Sequence, residues 1–578
     1  MNVNLYSGIT ILNKKHSSSY HSEDINKPIT RSAKQGFIPF MSIPSVAFLG
    51  NLVVPSLPEG LKATPEVKIN LKSSLKHSDA NIVKYKVFPQ DPLITKPDIY
   101  SLNGIVNEGP ENNRIKTVDE SQPSKPDSKG NFIEDIESAQ FDRVNTFALT
   151  QKTLDIFQKA LGRKLDWAFS NDQIKVFPRA GKMANAYYNR WGEEIKLFHF
   201  NHRYKTGETC YTAKMADVIT HETGHAILDG MRPSYAGWGA FGGAIHEGFS
   251  DSVAMLVALS DDKLLNRFIE NTGGDFRKEN IIASLAEQFG EAIYGSKKLY
   301  LRNAINNLKM SDFKTGKESS EVHNFGRLFG AMFYDILVDM TTENSKNKSL
   351  KEALFQTRED LTRLFARAMG DFSPTVNVYF EDVAKAFLKA DKIDFDGKYN
   401  DLLTKVFINR EILDSISIKG WQEELTNLPQ LKITDVDLKS QESIERFVSK
   451  HKTLLKLLPD NDYKVESAYK NDLCETFLQM KAPREIELPI DKLFDNQPFA
   501  ITVYDALTLG FDKEGKLFYK FVKNTKRRVI SEAIKDAKST LLKQKNYQDN
   551  SISKEPLVYK LSKNSKIIIK APKFEDPV

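Results

Sequence analysis

Apolar residues recur at helical spacing in several long stretches of the chain. Between Phe141 and Leu161, Val144, Phe147, Leu154, Phe157 and Leu161 share one side, Thr150 is the polar gap, and Gly162 closes the helix. Ala213 to Asp229 carries no proline, and Met215, Val218, Ile219, Ala226 and Ile227 fall at helical spacing before Gly230 and Pro233 end the run. Further helices are predicted at Val253–Leu259, Leu328–Met340, Leu350–Met369 and Val376–Ala390, and at Gln441–Leu458 and Tyr463–Met480. Strand-like runs are Ile82–Phe88, the stretch Ile174–Phe200, a hairpin over Phe499–Val522 turning at Asp512–Gly515, and Lys566–Lys570. Lys526–Lys545 reads as a basic amphipathic helix with a solvated face. Mixed strands and helices of this kind predict the α+β class.

Before residue 36 the chain is rich in Ser, Asn, Lys and His with little periodicity, and reads as a disordered tail. Residues 37–135 form a β-rich region, either an arm of the neighbouring domain or a pro-segment. Leu5–Leu12 is too short and too polar for a signal sequence. Phe37–Val54 is broken by Pro39 and Pro44 and reads as a strand or packing arm, so no transmembrane segment is expected. The 578 residues predict two to four domains, divided as 1–36, 37–135, 136–412 and 413–578, the last an α+β module. A net charge of +6, from 82 basic and 76 acidic residues, does not argue for a nucleic-acid partner. Cys210 and Cys474 lie far apart and supply neither a disulfide framework nor a cysteine metal site.

The chemistry concentrates in His221–Glu222–Thr223–Gly224–His225. On a helix, i and i+4 share a face, so His221 and His225 can hold one metal ion, with Glu222 in reach of a water beside it. The five residues alone also occur on ordinary helices, and a third ligand decides. Glu247 and Asp251, again i and i+4, open the next apolar run. Glu247 can complete a zinc set, and Asp251 can take the spare N–H of a ligating imidazole.

These motifs resemble the thermolysin-like metallopeptidases of the gluzincin group, over roughly residues 140–410. The resemblance implies a two-lobed catalytic unit, with a β-rich N-terminal lobe, a helical C-terminal lobe and the zinc-site helix between. It implies one zinc per chain on His221, His225 and Glu247, with Glu222 as general base and Asp251 behind a ligand. Asn185–Ala186–Tyr187–Tyr188 resembles the family's edge strand that pairs with substrate, which makes Asn185 and Ala186 substrate-binding. Arg302 is expected on a substrate carbonyl, and Val218 and Leu301 line an apolar pocket. His323 is the expected oxyanion donor, oriented by Glu318, and Tyr235 is the candidate for a second donor. In Val322–His323–Asn324–Phe325 the asparagine comes one place early. His246 stands where Asn or Gly is more usual, as a bystander or an extra polar contact, and the loop Met231–Gly243 is longer than usual. Asp217 matches a calcium ligand, but the carboxylate expected eleven residues after Glu247 is Ala258, so the paired calcium site is expected to be incomplete.

The implied function is zinc-dependent hydrolysis of peptide bonds in a peptide or protein substrate. The alternative is a degenerate zinc fold that binds without cleaving. An aminopeptidase would carry G-x-M-E-N, which is absent. The resemblance favours an extracellular protein, and the cysteine count suits the cytoplasm equally.

Overall fold

The computed structural model describes residues 82–236, 239–419, 427–488, 499–525, 530–531, 560–561 and 567–569. The expected tail, the Phe37–Val54 run and nearly all of Lys526–Lys545 lie outside the described residues. With 43 % helix and 19 % strand and, among the described residues, no closed barrel, the chain is of the expected α+β class.

The first strands, β1 (Ile82–Val87) and β2 (Asp98–Asn103), form an antiparallel hairpin. Inward-facing Val83, Tyr85 and Val87 share the main core with Phe132 and Phe147. Next come β3 (Ile115–Thr117) and α1 (Ala139–Leu161). Ser138 caps α1 by accepting from the Phe141 amide at 3.0 Å, and Gly162 ends it in the left-handed region at φ 62°. Strands β4 (Ile174–Phe177), β5 (Ala186–Asn189) and β6 (Glu194–Leu197) join β3 in a mixed sheet ordered β3-β4-β6-β5. β5 is therefore an edge strand, paired among the described residues only with β6.

A small hairpin, β7 (His199–Asn201) with β8 (Thr209–Tyr211), leads into α2 (Ala216–Met231). α3 (Gly239–Leu259) and α4 (Asp262–Thr272) follow. β9 (Ser284–Leu285) runs straight into α5 (Glu287–Tyr294) and pairs with β10 (Arg302–Asn303). Helices α6 (Met310–Lys314), α7 (Val322–Asn344), α8 (Leu350–Arg367), α9 (Phe380–Asp394) and α10 (Asn400–Asn409) complete the helical part. One continuous core takes in α1 to α3 and α7 to α10 together with the N-terminal hairpin.

After α11 (Gln441–Lys450), a twisted sheet is built from β11 (Lys464–Lys470), β12 (Thr476–Leu488), β13 (Phe499–Phe511) and β14 (Leu517–Lys523), joined by β15 (Lys560–Leu561) and β16 (Ile567–Ile569). It has its own core of Ile444, Val448, Leu478, Leu507 and Leu509. Two buried groups seat it on the turn after α8 and on the end of α2. The Tyr469 hydroxyl donates to Asp371 at 2.6 Å, and Arg232 donates to Gln479 at 2.8 Å. The expected hairpin is β13–β14, with Gly515 at φ 75° in its turn.

Tyr463–Met480 is strand rather than helix. A β-bulge between Val465 and Ser467 spaces the buried residues Val465, Ala468 and Tyr469 at i, i+3 and i+4. That interval imitates helical periodicity, although the register with β12 resumes after the bulge.

Candidate metal centre

α2 presents His221 and His225 on one face, with their Nε2 atoms 3.1 Å apart. α3 places Glu247 opposite: Oε2 is 3.6 Å from His221 Nε2 and Oε1 is 3.5 Å from His225 Nε2. Ligands held at ~2.0–2.2 Å by a tetrahedral ion sit about 3.3–3.5 Å apart, so the spacing fits zinc. The donor set fits as well, being two imidazoles and one carboxylate, and Glu247 Oε2 is buried with no hydrogen-bond partner. Two close approaches create this geometry. A Cβ on Gly224 would lie 3.0 Å from Ser250 Cα, so glycine lets α2 close on α3. A Cβ on Gly326 would lie 2.5 Å from the Glu247 Cβ, so glycine lets α7 press on the ligand itself.

The surroundings leave the donor lone pairs free. His221 Nδ1 donates to Asp251 at 2.9 Å, which directs Nε2 at the other ligands. Burial, reinforced by the neighbouring histidines, holds His225 well below the usual histidine range and hence neutral. His225 Nδ1 faces His246 Nδ1 at 3.5 Å, with the rings stacked. Burial also pushes His246 down to about 4.

Asp251 is the anchor of this layer. Arg302 donates to it through Nε at 2.9 Å and Nη2 at 2.7 Å. Burial alone would raise Asp251, but Arg302 and His221 overcome it and bring the carboxyl down to about 2. Arg302 also comes within 4.0 Å of Glu247 through Nη1 and within 3.3 Å of His221 Nδ1 through Nη2.

Glu222 is buried one residue round the helix, and its Oε2 has no partner. Burial pushes its carboxyl up to about 7, His221 opposing and Glu247 adding to the rise. The Tyr188 backbone amide reaches the same carboxylate, which brings edge strand β5 against the metal face. The Tyr188 side chain fixes that approach by donating to Asp229 of α2 at 2.8 Å. Ala186 opens β5, and half-buried Asn185 immediately precedes it. Val218 lies half-buried on α2 one turn before Glu222, and half-buried Leu301 immediately precedes β10.

His323 stands on the first turn of α7, one-third exposed, with Nε2 3.6 Å from Glu247 Oε1. Its carboxylate partner is Glu321, at 2.5 Å from Nδ1. Glu318 is not that partner, because it accepts instead from Asn324 at 3.1 Å. The helix start explains the exchange. Glu321 is the N-cap of α7, accepting the Asn324 amide at 3.1 Å, and its other oxygen is thereby aimed at the first-turn histidine. Desolvation would lower His323, but Glu247 and Glu321 outweigh it and raise it to about 9.

Tyr235, the candidate second donor, lies in the loop after α2. Its hydroxyl is fully buried, donating to the Pro374 carbonyl at 2.7 Å with Ser373 Oγ at 2.9 Å. The loop after α2 runs towards residues 373–374, and this phenol braces that contact.

Residues 192–413 match the family model of the fungalysin metallopeptidases (M36). The fungalysins are a thermolysin-like zinc metallopeptidase family, as the H-E-x-x-H and E-x-x-x-D motifs led one to expect. No curated protein matches the chain. The fungalysin match spans α2, α3 and α7, and thus every candidate ligand, Glu222 and His323. It begins after β5 and ends before the C-terminal sheet. Among the described residues no helix is long and apolar enough to cross a membrane.

One cluster went unseen in the sequence apart from a single member. Asp217 lies with Asp91 and Glu287, their nearest ligand atoms all within 4.8 Å of one another and all three buried. The three come from a loop, a helix and a strand-helix junction, and no local spacing connects them.

Proposed function

We infer that the chain is a zinc-dependent metalloendopeptidase in which His221, His225 and Glu247 hold the metal and Glu222 is the general base. The fungalysin family supports the activity in general terms. The observation that carries the assignment of residues is the orphaned Glu222 oxygen, buried beside a two-imidazole, one-carboxylate set. Zinc, when bound there, makes a water more acidic and polarises the scissile carbonyl.

The rest is done by the chain. Glu222, poised near neutrality, accepts a proton from the attacking water and returns it to the leaving amine. His323, held protonated by Glu321 and Glu247, offers Nε2 to the developing oxyanion. Arg302 locks Asp251 and through it His221, and its Nη1 lies 4.0 Å from Glu247. The free edge of β5, with Asn185 and Ala186, takes the substrate backbone by strand addition. Val218 and Leu301 offer apolar contact for a large apolar side chain.

Residues 136–412 are the proposed catalytic unit. The hairpin at 82–103 belongs with it as an arm, since Tyr85 and Val87 are buried in the same core. The part beyond residue 412 is proposed as a further α+β module, whose Tyr469, Phe477 and Tyr519 reach into the main core, and an extracellular setting is the preferred compartment. The test is peptide hydrolysis by the purified chain with and without a zinc chelator, sequencing the N-terminus of the active form. Hydrolysis that persists after zinc is removed would refute the proposal.

A further inference from the structure

Lys298 is half-buried beside the candidate substrate pocket. Its ammonium donates to the Leu301 carbonyl at 2.9 Å and lies 5.1 Å from the ring centre of Tyr294 and 5.8 Å from that of Tyr300. This fold-back puts the charge next to Leu301, and the following residue, Arg302, reaches the metal ligands. A second cation comes from α7. Arg327 is four residues after His323 and so shares its face of the helix. The Arg327 carbonyl accepts from Asn306 at 3.4 Å, which ties this turn of α7 to the segment leaving β10. Its guanidinium donates to Asn324 Oδ1, a neutral amide, at 2.9 Å. Among the described residues neither Lys298 nor Arg327 makes an ion pair. Of the acids nearby, Glu318 accepts from Asn324 at 3.1 Å, and Glu279 acts on Tyr300. Burial holds the Lys298 ammonium below the usual lysine range, and Arg327 and Arg302 add to the fall. Cations gathered without a counter-charge are stabilised by an anion that enters from solvent.

We propose that Lys298 and Arg327 form a cationic subsite that takes a substrate carboxylate at the second or third residue after the scissile bond. The inference rests on the peptidase reading above and adds a substrate class to it: peptides that are acidic, or that end, shortly after the bond cut. The position follows from the order of groups along the cleft. Arg302 lies against the metal ligands, Leu301 and Val218 offer apolar contact to the next side chain, and Lys298 stands beyond Leu301. An extended substrate advances ~3.3 Å per residue, so one or two further residues bring it to the ammonium. An ammonium has three donors, and the Leu301 carbonyl takes one of them. The Tyr294 and Tyr300 rings shield one side of the charge, which strengthens a charge-assisted bond made on the other.

Peptides alike up to the scissile bond, each with a large apolar residue directly after it, test this. One carries Glu-amide at the second position, another Gln-amide, and another Gln with a free C-terminal carboxylate. The zinc-loaded, full-length chain should cleave the Glu peptide or the free-carboxylate peptide with kcat/KM roughly 10-fold above the neutral one. Preference for Glu assigns the subsite to an acidic side chain, and preference for the free end assigns it to the substrate's terminus. Raising salt from about 0.05 M to about 0.5 M should shrink the ratio in the parent, which keeps the test decisive should a variant not fold. Lys298→Gln and Arg327→Gln should each lower the ratio, and Lys298→Glu should invert it. A merely structural lysine would instead lower all the rates together. Equal kcat/KM for the peptides in the parent, or a ratio that survives Lys298→Glu, would overturn the proposal. Peptide affinity of the zinc-loaded Glu222→Gln chain repeats the comparison without turnover. A preference there with no hydrolysis in the parent would uphold the subsite and count against the peptidase reading alone.

Discussion

Replacing Asp251 with Asn tests whether the layer behind the metal ligands carries weight. Asp251 receives His221 Nδ1 at 2.9 Å and two Arg302 contacts, and is 4 % exposed. A carboxyl brought from 3.8 to about 2 prefers its charged form in the fold by roughly 2–3 kcal/mol, at ~1.4 kcal/mol per tenfold. The sign follows from the direction. Because the folded value is depressed, this stability is fully present above the unfolded value near 3.8 and fades as pH falls through about 2. Asparagine cannot accept from both partners as an anion and leaves Arg302 without its nearest counter-charge. Zinc-free Asp251→Asn should therefore be roughly 2–3 kcal/mol less stable than the parent at pH 7 by urea unfolding. The gap should narrow between about pH 4 and 2. In competition with a chromophoric chelator, zinc affinity should drop about 10- to 100-fold, the usual effect of losing a ligand's supporting partner. A gap that stays constant down to pH 2, or unchanged zinc affinity, would refute the reasoning.

Other consequences can be checked together. His323→Ala should lower kcat on the order of 100-fold with zinc retained, and Glu321→Gln should move the alkaline limb of the pH–rate profile to lower pH. Glu318→Gln, by contrast, should leave that limb in place. Tyr235→Phe should lower stability by about 1 kcal/mol through its lost hydrogen bonds while turnover stays within about threefold, well short of the loss expected of an oxyanion donor. Gly326→Ala forces a methyl towards the Glu247 Cβ and should cost about 1–3 kcal/mol in thermal unfolding, with weaker zinc binding.

What could be read in advance depended on how local each feature is. His221–His225 and Glu247–Asp251 are i and i+4 pairs on helices, and one-dimensional spacing maps onto one face. α1 was legible from Phe141 to its closing Gly162 for the same reason. His323 was found by its motif, but its partner was not. The signal was present in Glu321-x-His323, since an acidic N-cap two residues ahead of a first-turn histidine reaches it directly. The partners of Tyr235 were out of reach because an offset from His225 says nothing of where an irregular loop turns, and here it turns to Ser373 and Pro374. The strand at 464–470 was hidden by its bulge. Asp91 and Glu287 were beyond reach, being 126 and 70 residues from Asp217 with no periodicity between them.

The central claim is that Glu222 moves the proton while His221, His225 and Glu247 hold the metal. Glu222→Gln tests it most directly, because Gln is nearly isosteric and cannot accept the proton. Zinc content, peptide affinity and turnover should be measured on the parent and the variant side by side. The account predicts zinc and peptide binding unchanged and turnover lower by at least about 100-fold. Zinc retained with turnover unchanged would contradict the assignment of the base. Zinc bound with no hydrolysis in the parent would favour the non-catalytic binding module.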